Sequence, residues 1–126
     1  IQALPFAADT FDLILCNHVL EHIPDDRLAM RELLRVLAPE GRALLLVPMD
    51  TSRETTLEDP AINTDALREQ YYWQRDHLRL YGRDYVQRLR EAGFRVSELD
   101  YVGLLPAELR RRYALRTDDK LFIATK

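Results

Sequence analysis

A chain of 126 residues, 47% of them apolar, is long enough for one domain with a hydrophobic core. Its formal net charge of −3 provides no overall positive field, which argues against a nucleic-acid partner. The apolar stretches are far too short to span a membrane, and the single cysteine, Cys16, cannot form an internal disulfide, so the chain reads as soluble and cytoplasmic.

The run "FDLILCN", residues 11–17, is continuous, apolar and too short for a core helix. Such runs suit parallel strands covered on both faces. Cys16 within it reads as a small buried hydrophobe. After Pro24, Asp25 and Asp26, the spacing of Met30, Leu33, Leu34 and Leu37 predicts an amphipathic helix with an acidic start. Pro39-Glu40-Gly41 stops it, and residues 42–47, "RALLLV", form a second strand. Strand, helix and strand in this order make a right-handed βαβ unit.

The polar stretch 49–83 contains one predicted helix, residues 65–73, and reads as a substrate lid or insertion. Its aromatic residues Tyr71, Tyr72, Trp73 and Tyr81 either line a pocket or pack the lid on the body. Asp84 opens the next helix, with Gln87 placed for a capping box and Gly93 as the left-handed stop. Residues 95–102 read as a strand, 106–113 as a short helix and 121–125 as a last strand after the turn Thr117-Asp118-Asp119. The triple arginine Arg110-Arg111-Arg112 reads as a solvated helix face.

The first strand runs directly into "HVLEH", residues 18–22, which has the H-x-x-E-H form of one class of zinc proteases. That chemistry needs a continuous helix to put both histidines on one face, and Pro24 leaves room for one turn at most. Spacing suggests no third ligand, and no metal site is expected. The position at the carboxyl end of a buried parallel strand favours small-molecule binding instead.

Taken together, "LPFAADTFDLILCNHVLEHIPDDRLAMRELLRVLAPEGRALLLVP" resembles the middle of a class I S-adenosylmethionine-dependent methyltransferase of the type 11 family. The L-P-F-x-x-D-x-F-D element, V-L-E-H, the helix exit R-E-L-x-R-V-L-x-P-x-G and the next strand occur in the family's order, with Glu40 where glycine is usual. "DHLRLYGRDYVQRLREAGFRV" and "LFIATK" are similar to the family's later segments. The resemblance implies an α/β, partial Rossmann-like fold: a half-sheet of the family's strands 4-5-7-6 with flanking helices. The family's G-x-G-x-G turn is missing, since Gly41, Gly82, Gly93 and Gly103 are not so spaced. Residues 1–126 are therefore expected to be the carboxyl-terminal half of the domain, binding S-adenosylmethionine weakly or not at all and inactive alone.

The resemblance places Ile1 near the adenine, with core packing as its alternative, and Asn17 and His18 beside the methionine half. If the acceptor is a hydroxyl, His18 is the first candidate general base and His77 the second. His22 would orient the turn, and Glu21 would position His22 or cap the following helix. The segment from Asp76 to Asp84 is similar to a D-H-x-R-x-Y-G-x-D element of a subgroup. There Arg79, with Tyr81, would contact an anionic small-molecule methyl acceptor, unless Arg79 merely pairs with Asp76 to fix the lid. The first strand would expose an apolar edge, so a homodimer through residues 11–17 is expected. The alternative function is a non-catalytic half-domain that binds a partner.

Overall fold

A computed structural model describes residues 1–116 and 120–126. The expected turn Thr117-Asp118-Asp119 lies outside the described residues. Strand β1, Phe11–Asn17, coincides with the apolar run. A single 3-10 turn, Leu20–His22, follows, and Pro24 then separates it from helix α1, Asp26–Val36. Asp25 caps α1 by accepting a hydrogen bond from the Leu28 N–H at 2.8 Å, leaving Ala29, Met30, Leu33 and Val36 to face the core.

Strand β2, Leu37–Leu46, begins five residues earlier than the sequence suggests. Its regular parallel ladder with β1 nevertheless starts at Arg42, opposite Leu13, and runs to Leu46 opposite Asn17. Between the Phe11–Leu37 and Leu13–Arg42 pairs the register shifts, so that β2 bulges against β1. A side chain at Gly41 would meet Ala38 O and Phe11 O, each at 2.9 Å, so glycine is required there.

Helix α2, Asp65–Tyr72, lies in the middle segment and ends on Trp73 in the left-handed region. Helix α3, Tyr85–Glu91, precedes strand β3, Arg95–Leu99. The chain continues through α4, Tyr101–Leu104, and α5, Ala107–Arg112, to strand β4, Leu121–Thr125. The four strands form one sheet in the order β1-β2-β4-β3, parallel between β1 and β2 and antiparallel in the other two pairs.

Burial alternates along the strands: Cys16, Ala43, Leu45, Phe122 and Ala124 are buried on the face packed by α1 and α3. On the other face of β1, Leu13 and Leu15 are 58% and 63% exposed. The continuous apolar run thus belongs to an edge strand covered on one face, not both. Two further expectations change. Asp84 makes no capping hydrogen bond, because its carboxylate is held by Thr56 and Arg88. The predicted strand 95–102 stops at Leu99, where Asp100 accepts a hydrogen bond from Gly103 N–H and starts α4. Gly93, at φ +110°, supplies the expected left-handed stop.

Candidate functional site

The β1–β2 pair brings two side chains to its carboxyl edge. Asn17 is exposed at the last rung, and His18 extends the ladder through its N–H to Leu46 O at 2.8 Å. His18 then turns the chain away with φ +55°, a strained value for a residue with a Cβ. Its imidazole is 67% exposed, with Nδ1 3.5 Å from Glu21 Oε1. Ile1, ahead of β1, is 38% exposed. The segment behind it is tied to α1, where Arg35 donates to the carbonyls of Leu4 and Phe6 and to Glu32.

The 3-10 turn points Glu21 inward. Its side chain is 1% exposed, and neither carboxylate oxygen accepts a hydrogen bond. His22 Nε2 stands 3.8 Å from Glu21 Oε1, while its Nδ1 faces Asp76 Oδ2 at 3.2 Å and the Asp76 carbonyl at 3.3 Å. The third member comes from the middle segment. The Leu78 N–H donates to Glu21 O at 2.8 Å, docking the neighbouring His77 against the turn. His77 is buried, hydrogen-bonds through Nδ1 to Tyr72 O at 2.8 Å, and meets the His22 ring edge-to-face at 4.8 Å. Glu21, His22 and His77 each present a donor atom within 4.8 Å of the others. Spacing alone left the H-x-x-E-H pattern without a third partner, and the fold provides one.

Nearby, Cys16 is buried, and its thiol is pushed up to about 11 by that burial and by the charge of Glu21. It stays a protonated core residue.

Arg79 and Tyr81, the expected substrate contacts, are both buried within the chain. Arg79 is 1% exposed, and its guanidinium donates to Leu20 O at 2.8 Å, Ile23 O at 2.6 Å, Pro24 O at 2.9 Å and Glu58 Oε1 at 3.0 and 2.7 Å. All five N–H donors are engaged, leaving none for a ligand. The tether is to Glu58 and these carbonyls rather than to Asp76. Tyr81 is fully buried and donates to Asp26 Oδ2 at 2.8 Å. Burial first, and then the Asp26 charge, push its phenol well above the usual range.

Sequence reasoning missed the centre of this network. Asp26, 4% exposed, also accepts from Arg88 at 3.1 Å, and Arg88 reaches Glu58 at 3.3 Å. The available signal was an acidic pair at a helix start, and only Asp25 of that pair was needed as a cap. Of the aromatic group, Tyr81 packs into the body's core, Tyr72 is buried within the middle segment against Asp59 and His77, and Tyr71 and Trp73 are exposed.

A family model described as "Methyltransferase domain" matches residues 2–99. Methyltransferase YcgJ of Bacillus subtilis is 47% identical over 45 residues, covering 36% of this chain and 18% of that protein. The ubiquinone/menaquinone biosynthesis C-methyltransferase UbiE of Klebsiella pneumoniae shows the same identity and coverage. The chain thus matches under a fifth of the length of these relatives. Among solved structures, the Bacillus subtilis YcgJ protein superimposes with a TM-score of 0.59 at 18% identity, covering 99% of this chain and 68% of that one. An S-adenosylmethionine-dependent methyltransferase from Mesorhizobium loti gives 0.61 at 16% identity, covering 98% and 65%. The fold is therefore the Rossmann-like one of these enzymes, and the chain belongs to the methyltransferase-domain family.

Proposed function

We propose that the protein is an S-adenosylmethionine-dependent methyltransferase that acts on a small molecule by in-line transfer, with this chain forming one wall of the site. The observation that carries the reading is the carboxyl edge of the parallel pair, where Asn17 is exposed and His18 turns out of the sheet with its ring open to solvent. The residues present suit the cofactor only in part. Gly41, Gly82, Gly93 and Gly103 are not spaced as the family's glycine turn, so these residues supply no such turn for a nucleotide to approach.

When bound, the cofactor supplies the methyl group. The tasks left to this chain are to border the pocket, align the acceptor and take up its proton. His18 is the favoured base, because it is open to solvent at the strand end. His77, a residue of the lid itself, is buried with its Nδ1 engaged, and reaches the site less directly. Ile1, on the exposed segment ahead of β1, remains the proposed adenine neighbour.

Methyl transfer from labelled S-adenosylmethionine by the full-length protein tests the reading, with His18→Ala expected to lower kcat by roughly 10²–10⁴-fold for a hydroxyl acceptor. An unchanged kcat would remove the base role. Calorimetry on the 126-residue chain alone should detect weak S-adenosylmethionine binding at most. Micromolar affinity would show that the chain needs no second wall.

A partner-binding reading rests on a separate observation. β1 is an edge strand with Leu13 and Leu15 exposed on one face, a surface suited to pairing with a second copy of the chain. Sedimentation should show association that the double change Leu13→Lys, Leu15→Lys abolishes. A monomeric wild type would refute the homodimer.

A further inference from the structure

The Glu21 carboxylate poses a physical problem that methyl transfer does not use. It is 1% exposed, and both oxygens lack a hydrogen bond. A buried carboxylate is costly unless it is paired or coordinates a metal. The groups around it are arranged for coordination. Tyr72 O and Asp76 Oδ2 can only accept hydrogen bonds, so Nδ1 of His77 and of His22 must each carry the proton in those contacts. In the neutral form of each ring that leaves Nε2 as the lone-pair donor. The pattern is the one metal-bound histidines show, in which the second ring nitrogen donates to a carbonyl or carboxylate.

We propose that Glu21, His22 and His77 form a binding site for a divalent transition-metal cation of the zinc class. Two imidazoles and one carboxylate are a donor set that zinc accepts, with a fourth position left for solvent or a ligand. Ligand atoms around tetrahedral zinc stand about 3.4 Å apart. The 3.8 Å between His22 Nε2 and Glu21 Oε1 is close to that, and the three donor atoms lie within 4.8 Å of one another. His18 Nδ1, 3.5 Å from the same Glu21 oxygen, borders the site from its exposed side.

The inference is independent of the methyltransferase reading, because its test measures the ion and not turnover. Purified protein, stripped with chelator, is titrated with Zn²⁺ by calorimetry and with Co²⁺ by visible absorption. One ion per chain and a zinc-dependent rise in Tm are expected. Glu21→Gln and His77→Ala should each weaken binding by more than about 100-fold, since even outer partners of a metal ligand are worth roughly 10–100-fold.

Should either variant fail to fold, Asp76→Ala decides the matter. Asp76 is 60% exposed and offers no ligand atom of its own to the trio, its closest contact there being His22, so its loss should weaken zinc by roughly 10–100-fold and leave the metal-free Tm unchanged. X-ray absorption on the wild-type zinc form should give two imidazole nitrogens, oxygen and no sulfur. Absence of stoichiometric zinc binding, a Cys16 sulfur in the spectrum, or affinity unaffected by Asp76→Ala and Glu21→Gln would overturn the assignment.

Discussion

Replacing Arg79 by alanine removes a guanidinium that is 1% exposed and serves two acceptor groups at once. The carbonyls of Leu20, Ile23 and Pro24 lose their side-chain donor, and Glu58 loses two hydrogen bonds. Asp26, 3.9 Å from the Arg79 Nε, keeps Arg88 and Tyr81 but loses part of its positive surroundings. Removing one partner of a buried ion pair costs about 3–5 kcal/mol, because the acceptors left behind cannot all reach water. Domains of this kind have roughly 5–15 kcal/mol in total. The variant should therefore unfold at a urea midpoint roughly 2 M lower, with an unchanged slope. Arg79→Lys should recover only part of the loss, since an ammonium cannot reproduce the planar fork. Circular dichroism during urea titration measures both. A midpoint within experimental error of wild type, together with a raised KM in the full-length enzyme, would refute the structural role and restore Arg79 as a substrate clamp.

Three further outcomes follow from the same structure. Gly82→Ala should cost about 1–3 kcal/mol, because a Cβ there would lie 2.6 Å from the Thr55 carbonyl carbon and 2.7 Å from its oxygen, backbone atoms that cannot swing aside; denaturant titration of the variant reports this. Hydrogen bonds from Arg35 and from the Leu4 N–H hold the Glu32 carboxyl down to about 2, from an ordinary 4.5. Its folded value is depressed, so its contribution is complete above 4.5 and is lost as pH falls towards 2; Glu32→Gln should flatten that part of the stability-against-pH curve. Cys16, with its thiol raised to about 11, should resist iodoacetamide at pH 8 in the native state and react promptly in urea, as mass spectrometry of the alkylated chain would show.

Features set by neighbours in the chain were legible in the sequence. β1 coincides with its apolar run, α1 has its acidic start, and Gly93 stops α3. The four linked elements from L-P-F to the second strand carried the family, which the match over residues 2–99 establishes. Features set by distant contacts were not legible. Asp84 has the spacing of a capping box, yet Thr56 competes for its carboxylate with two hydrogen bonds at 2.7 Å. The apolar face of β1 predicted cover on both sides because periodicity records what a strand can bury. It does not record what stands opposite.

The same limit explains the candidate site. Nothing local to "HVLEH" indicates that His77 will arrive, because the contact depends on how the middle segment docks. Leu78 N–H to Glu21 O, and Arg79 to the carbonyls of Leu20, Ile23 and Pro24 that frame the turn, help make that docking. One short stretch, residues 77–81, therefore anchors the lid and completes the Glu21 cluster. If so, anchoring and ion binding are coupled. Arg79→Ala should weaken zinc as well as the fold, although Arg79 presents no ligand atom, whereas Asp76→Ala should weaken zinc alone. Because the turn is held through backbone carbonyls, the loss in the Arg79 variant should appear as a faster off-rate of the ion, which chelator competition in stopped flow resolves. Equal off-rates in wild type and Arg79→Ala would mean that the 3-10 turn keeps its shape, and His77 its place, without the guanidinium.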